Sequence, residues 1–314
     1  MTAIVDPGVA RPRLGLLRRS KLKISERRMP TGRQLLFQLL CLFIAFTVLF
    51  PILWILSLSV DCRGLSRPDG LNLIPPCLTL DSYTNVLAQP TSNPISFMEL
   101  ARNSFFVAAS TATLSVLIGV SAAYAFARLD FKGREILMVA ILAVLMLPAV
   151  ATIAPLFVLL TRVQVGEFTL GRTLAGVMVA VVSSTLPFAI WNLKGYLDTI
   201  PRELEEAAAV DGATRNQSFR LIILPLAIPA LAVTGFLGFI AGWTEYYFTV
   251  IFISDAPQFT LALALNGMVG QFATTTPWSE FSAFAIMFAL PVSLVYLVLQ
   301  KYIIGGLAVG GVKG

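Results

Sequence analysis

The chain has 314 residues, of which 57% are hydrophobic and only 13% charged, and its mean hydropathy is +0.81. An ordinary soluble domain is about 25% charged, so the composition excludes a soluble fold and points to a membrane protein with several spans. The net charge is +6, with no histidine and three cysteines, which excludes histidine-based catalysis, histidine metal sites and a disulfide framework.

Residues 1–34 are rich in Arg and Lys and include Pro7, Pro12 and Pro30. They read as a basic cytoplasmic arm that sets topology, with anionic-lipid binding as the sharper reading. Apolar runs long enough to cross a bilayer as helices follow at residues 35–60, 103–127, 136–161, 174–193, 226–253 and 281–302. Their continuous character favours helices over alternating barrel strands. The first run is longer than a signal-peptide core and lacks a small-residue cleavage site, so it is expected to stay as an anchor.

With the N-terminus inside, 18 of the 23 basic residues fall in inside segments and five in outside loops. That asymmetry places both termini in the cytoplasm. The positive charge is then a topology signal, and nucleic acid is not an expected partner. The first outside loop, 61–102, carries Cys62 and Cys77. An oxidising exterior permits a bond between them that would close a loop of about 15 residues and contribute about 3 kcal/mol; two unpaired thiols are the alternative. Small residues on the second run (Ala122, Ala123, Ala125 and Ala127) allow close helix packing. Pro148 and Pro155 are expected to break the third run, and Pro187 the fourth.

Residues 195–225 form a charged island between apolar runs. The spacing predicts a helix over 199–212, with Pro201 in its first turn and Glu203, Glu205 and Glu206 at the positive end of its dipole. Leu204, Ala207, Ala208 and Asp211 share one face. Gly212 ends the helix in the left-handed conformation, Ala213 follows, and Thr214 with Gln217 forms a capping box for a second short helix. A helix kept slim by alanines suits a groove on another protein. It suits a lipid surface poorly, because alanine binds lipid weakly.

Glu245 is the only acidic residue inside a predicted run. It either lines a path through the membrane or meets a partner, or it lies at the outer interface with Trp243, Tyr246 and Tyr247 as an aromatic belt. Those aromatics could also stack on a sugar, a reading weaker than the belt. No nucleotide-binding loop, nucleophile elbow or zinc-protease motif is present. The sequence therefore offers no catalytic residues and no metal site.

The string Glu206-Ala-Ala-Ala-Val-Asp-Gly-Ala213, followed by Ile222, Leu224 and Pro225, resembles the EAA loop of ABC importer permeases of the binding-protein-dependent type. The segment Tyr124-Ala-Phe-Ala-Arg-Leu-Asp-Phe-Lys-Gly133 and the end Gly310-Gly-Val-Lys-Gly314 are similar to the smaller permease subunit of maltose/maltodextrin importers. The resemblance covers about residues 35–314; the long N-terminal arm and the cysteine-bearing loop depart from it.

The resemblance implies an all-α fold of six transmembrane helices in a bacterial inner membrane. The spans run over 35–302 and a cytoplasmic tail over 303–314. Glu203, Glu206, Ala207, Ala208, Asp211, Gly212 and Ala213 would contact a separate ATPase subunit. Gly310, Gly311, Val312, Lys313 and Gly314 would reach toward the ATPase dimer. Ser254, Asp255, Ala256, Pro257 and Gln258 would meet an extracytoplasmic sugar-binding protein. A homologous second permease would complete the path for maltose, maltodextrin or a related α-glucoside such as trehalose. ATP and Mg would sit on the ATPase, and this chain would hold no cofactor. An ion-coupled secondary transporter is the alternative; it calls for inverted repeats and mid-membrane charges, and only Glu245 fits. An intramembrane enzyme would need clustered catalytic groups inside the runs, which the sequence lacks.

Overall fold

The computed structural model describes residues 30–64, 70, 73–166, 168–269 and 276–310. The chain divides into two compact units, Met1–Phe50 and Pro51–Gly314. The first holds most of helix α1 (Thr31–Ser59), whose side chains are exposed from Thr31 to Leu49. A helix that is apolar all round belongs in a lipid or protein interior rather than in water. Residues 31–34 of the expected arm are already helical; the rest of the arm up to 29 lies outside the described residues.

In the second unit the elements follow in order: α2 (Asp81–Ala88), α3 (Phe97–Arg128), α4 (Arg134–Leu145), α5 (Ala149–Thr161), β1 (Gln164–Val165), β2 (Phe168–Thr169), α6 (Leu174–Leu197), α7 (Glu203–Val210), α8 (Arg215–Ser218), α9 (Leu224–Leu226), α10 (Ile228–Trp243), α11 (Tyr247–Phe252), α12 (Leu261–Gly267) and α13 (Trp278–Gly310). A wide turn, Phe219–Ile223, joins α8 to α9. Among the described residues, the antiparallel β1–β2 pair, two residues a side, and a single bridge between Asp61 and Leu78 depart from the expected all-helical chain. Among the described residues, four helices (α1, α3, α6 and α13) are long and apolar enough to cross a membrane. Two bent pairs, α4 with α5 and residues 215–226 with α10, raise the number to as many as six.

Helix α3 is the centre of this unit and packs against α6 and α10. It begins six residues before the apolar run suggested, because Ser96 and Glu99 close a capping box ahead of it. Ala123 and Ala127 of its last turns are buried in one cluster with residues of α6 and α10, and further along two glycines of α10 let the backbones approach closely. A Cβ on Gly242 would lie 2.6 Å from the Ala108 Cα, and one on Gly238 3.1 Å from the Ala112 Cα. Trp243 follows Gly242 into the core, where its Nε1–H donates to the Phe288 carbonyl of α13 at 3.0 Å.

The prolines act unequally. Pro148 stands at the N-cap of α5, and α4 and α5 meet at 109°. Pro155 and Pro187 leave α5 and α6 unbroken, contrary to expectation; packing on α3 along α6 holds that helix through the missing hydrogen bond. The apolar run 226–253 is not one helix but is interrupted at 244–246. Helix α13 runs to Gly310, well beyond the expected end at Tyr302, so the start of the expected tail is helical.

Candidate functional site

The charged island lies where α3 and α6 both end. Helix α6 stops at Leu197, and a turn closed by Ile200 N–H donating to the Leu197 carbonyl at 3.1 Å leads to Pro201. A residue before proline avoids the helical region, so the next helix starts at Glu203 and not at Thr199. Helix α7 is eight residues long, with Glu203, Glu205 and Glu206 in its first turn.

Its end is a Schellman motif. Ala213 N–H donates to the Ala208 carbonyl at 2.9 Å and Gly212 N–H to the Ala209 carbonyl at 3.1 Å, with Gly212 at φ +86°. Thr214 then caps α8 in a capping box with Gln217, whose Oε1 accepts the Thr214 N–H at 2.7 Å. Every bond in this helix–turn–helix is local, and so it could be read from the sequence.

What holds α7 to the bundle is not local. The guanidinium of Arg128, the last residue of α3, donates to Glu205 through Nε, and to the carbonyls of Leu197 at 3.0 Å and Ile200 at 2.7 Å. The Tyr124 hydroxyl donates to the other Glu205 oxygen at 2.8 Å. Arg202 donates to the Ala127 carbonyl at 3.1 Å. The Arg128 and Glu205 side chains are only 7% and 16% exposed. Together with Arg215 and Ser218 these groups line a polar cleft of about 320 Å³.

Behind this tether, α7 turns its other side outward. Glu203, Leu204, Glu206, Ala207, Asp211 and Gly212 are exposed, Ala208 and Ala213 are half-buried, and Val210 is 89% exposed. The island thus presents an acidic and apolar face. The sequence reading missed Glu205, Arg128 and Val210. Tyr124 and Arg128 stand at i and i+4 on α3, a shared face that was the available signal for the tether.

At the opposite end of α3, a second set of bonds fixes the segment after α11. Asn103, nearly buried, donates through its amide to the carbonyls of Pro257 at 2.8 Å and Phe259 at 2.9 Å. The Ser104 hydroxyl accepts the Leu261 N–H at 2.8 Å. The Gln258 side chain accepts the Leu174 N–H of α6 at 3.3 Å. Ser254, Asp255 and Pro257 remain exposed, with Ala256 and Gln258 half-buried.

Glu245 sits half-buried in the gap between α10 and α11, where its Oε1 accepts the Phe248 N–H at 2.6 Å. A continuous helix has no free N–H to offer at that depth; the gap supplies one. Trp243 is only 2% exposed and stacks on Phe239, so it belongs to the core and not to an interfacial belt. A cavity of about 660 Å³ opens between the α4–α5 bend and α6, lined by Thr152, Pro155, Ser183, Ser184 and Pro187 among apolar neighbours.

Cys62 and Cys77 are joined, with Cα atoms 5.6 Å apart. Beside them Arg63 Nη2 pairs with Asp61 at 2.7 Å, and this hydrogen bonding holds the Asp61 carboxyl below the usual carboxylate range. Asp61 and the two sulfurs form a compact group, but the disulfide occupies both sulfurs and leaves no thiolate for a metal. Gly310 is the last described residue of the expected tail; Gly311, Val312, Lys313 and Gly314 lie outside the described residues.

Residues 115–308 match the family of binding-protein-dependent transport system inner membrane components. The chain belongs to this family. The permease is 36% identical over 274 residues to the maltose/maltodextrin transport system permease protein MalG of Vibrio vulnificus strain YJ016, covering 85% of this chain and 91% of the relative. It is 35% identical over 286 residues to MalG of Escherichia coli K12, covering 88% and 94%. Its fold also matches the crystal structure of a bacterial ABC transporter involved in the import of the acidic polysaccharide alginate. The TM-score there is 0.70 at 23% identity, over 86% of the permease and 96% of that chain. The family match takes in α4 to α12, the C-terminal part of α3 and most of α13, and thus the whole charged island.

Proposed function

We propose that the permease forms one half of the translocation path of an ATP-driven importer for maltose, maltodextrin or a related α-glucoside, and that α7 couples it to a separate ATPase subunit. The observation that carries this reading is the two-sided character of α7. One side is bonded to the end of α3, whose Arg128 also holds the end of α6, while exposed Glu206, Val210 and Asp211 are open to a partner. A short helix held from behind, with an apolar tip ringed by carboxylates, suits a groove lined by basic and apolar groups. The substrate class is taken from the relatives, which are maltose/maltodextrin permeases.

In this account a second permease completes the path, and two ATPase subunits bind ATP and Mg. The basic flanks put α7 in the cytoplasm. Closure of the ATPases draws the α7 helices together and tips the spans toward the outside-open state. The segment 254–258 faces an extracytoplasmic sugar-binding protein, and the chain end at 310–314 reaches toward the ATPase pair. The cavity beside the α4–α5 bend, with carbonyls released by proline, faces the path. The chain itself carries no hydrolytic chemistry.

Reconstitution with the cognate subunits in proteoliposomes tests this. Glu206→Lys should leave membrane insertion intact and abolish sugar-stimulated ATP hydrolysis. Normal stimulation in that variant would refute the docking role of α7. Labelled-sugar binding to the cognate binding protein tests the substrate class; retention of neither maltose, maltodextrins nor trehalose would refute it.

A further inference from the structure

The exposed face of α7 explains how a partner could hold the helix, but not how displacement of so short a helix reaches the spans. An isolated helix of eight residues is not stable by itself. Its N-terminal half has few ties besides side-chain bonds: Glu205 to Arg128 and Tyr124, and Arg202 to the Ala127 carbonyl. Arg128 is the hub of these. It ends α3, its Nη2 reaches the carbonyls of Leu197 at the end of α6 and of Ile200 in the turn that follows, and its Nε holds Glu205 of α7. Three elements therefore meet at one nearly buried guanidinium.

We propose that Arg128 and Glu205, steadied by Tyr124, form the joint through which movement of α7 passes to α3 and α6. These are positioning residues: they face the bundle, whereas Val210 faces outward and Glu206 is exposed at the rim of the cleft. The pair is suited to the task because it is directional. Bidentate-capable Arg fixes the angle between its partners, where Lys would act as a swivelling point charge. Low exposure keeps the attraction from being screened as it is between surface charges. Tyr124 removes the remaining freedom of the carboxylate, and its ring packs on Phe219 with centroids 4.6 Å apart, bringing the turn after α8 into the same joint.

The inference rests on the proposed docking of α7 to an ATPase, so its test has two arms. In the purified permease, amide exchange across 206–212 should quicken about tenfold in Glu205→Gln and Arg128→Lys and stay unchanged in Glu206→Gln. In the reconstituted transporter, Glu205→Gln should still co-purify with the ATPase and hydrolyse ATP, while sugar moved per ATP falls at least tenfold. Unchanged exchange would overturn the joint. So would wild-type sugar per ATP in Glu205→Gln, or loss of ATPase association, which would make Glu205 a docking residue. If the exchange result holds but the wild-type permease binds no ATPase, the docking reading fails and the transmitting role fails with it.

Discussion

Gly212 decides whether α7 ends where it does, and the size of its contribution can be worked from the geometry. Its φ is +86°, and a Cβ built on it would meet nothing within 4 Å. Crowding therefore contributes nothing to an alanine substitution, and only the left-handed backbone remains, at about 1–2 kcal/mol. That corresponds to opening of the turn about 5- to 30-fold more often. Asparagine tolerates this region better and should cost less. Proline fixes φ near −65° and removes the N–H that Gly212 donates to Ala209, so the Schellman turn cannot form at all. The expected order of protection is Gly, then Asn, then Ala, with Pro far below. Hydrogen exchange of residues 203–218 in detergent-solubilised protein reads this series, and sugar-stimulated ATP hydrolysis should fall in the same order. Alanine protecting as well as glycine, or as poorly as proline, would refute the argument from backbone conformation.

Three further outcomes follow from other contacts. Gly242→Ala should lower the thermal stability of the solubilised protein by about 1–3 kcal/mol, because its Cβ would meet Ala108 backbone at 2.6 Å; Gly267→Ala, with nothing within 4 Å, should not. Asn103→Ala should loosen the segment 254–259 against proteolysis by leaving two carbonyls without donors, about 1–3 kcal/mol, and Asn103→Asp should do more harm by facing a carboxylate to those carbonyls. The Asp61 carboxyl is depressed by its bonds from Arg63. Its contribution is therefore complete above the unfolded value, near 3.8, and is lost as pH falls through the lower folded value. Thermal melting should accordingly show no Asp61-dependent change between pH 7 and 5, and a loss below about pH 4 that Asp61→Asn lacks.

The apolar runs located the long helices, because a stretch that must cross lipid is apolar throughout and its pattern is local. Their limits were less legible. The capping box at Ser96 and Glu99 could have set the start of α3, but it lay outside the apolar run. Pro148 and Pro187 look alike in sequence, yet only the first stands at a break, because neighbouring helices decide whether a freed carbonyl can be accommodated. Within the island, the Gly212 stop and the Thr214 cap were readable since each is settled within a few residues. The tether was not, since Arg128 and Glu205 are 77 positions apart. Three glutamates in one turn of α7 all serve its dipole, and only the fold distinguishes Glu205, which is bonded to Arg128, from Glu203 and Glu206, which are exposed. Glu245 was conspicuous as a lone charge, and the structure gives it a helix-capping bond that no pattern along the chain announced.

Docking of the outward face of α7 on an ATPase can be read from a photo-crosslinking amino acid at Val210, the most exposed large apolar side chain of that helix. In membranes containing the cognate subunits, a single adduct with the ATPase is expected, lost when Glu206→Lys is introduced. An adduct with lipid, or with the second permease alone, would contradict it.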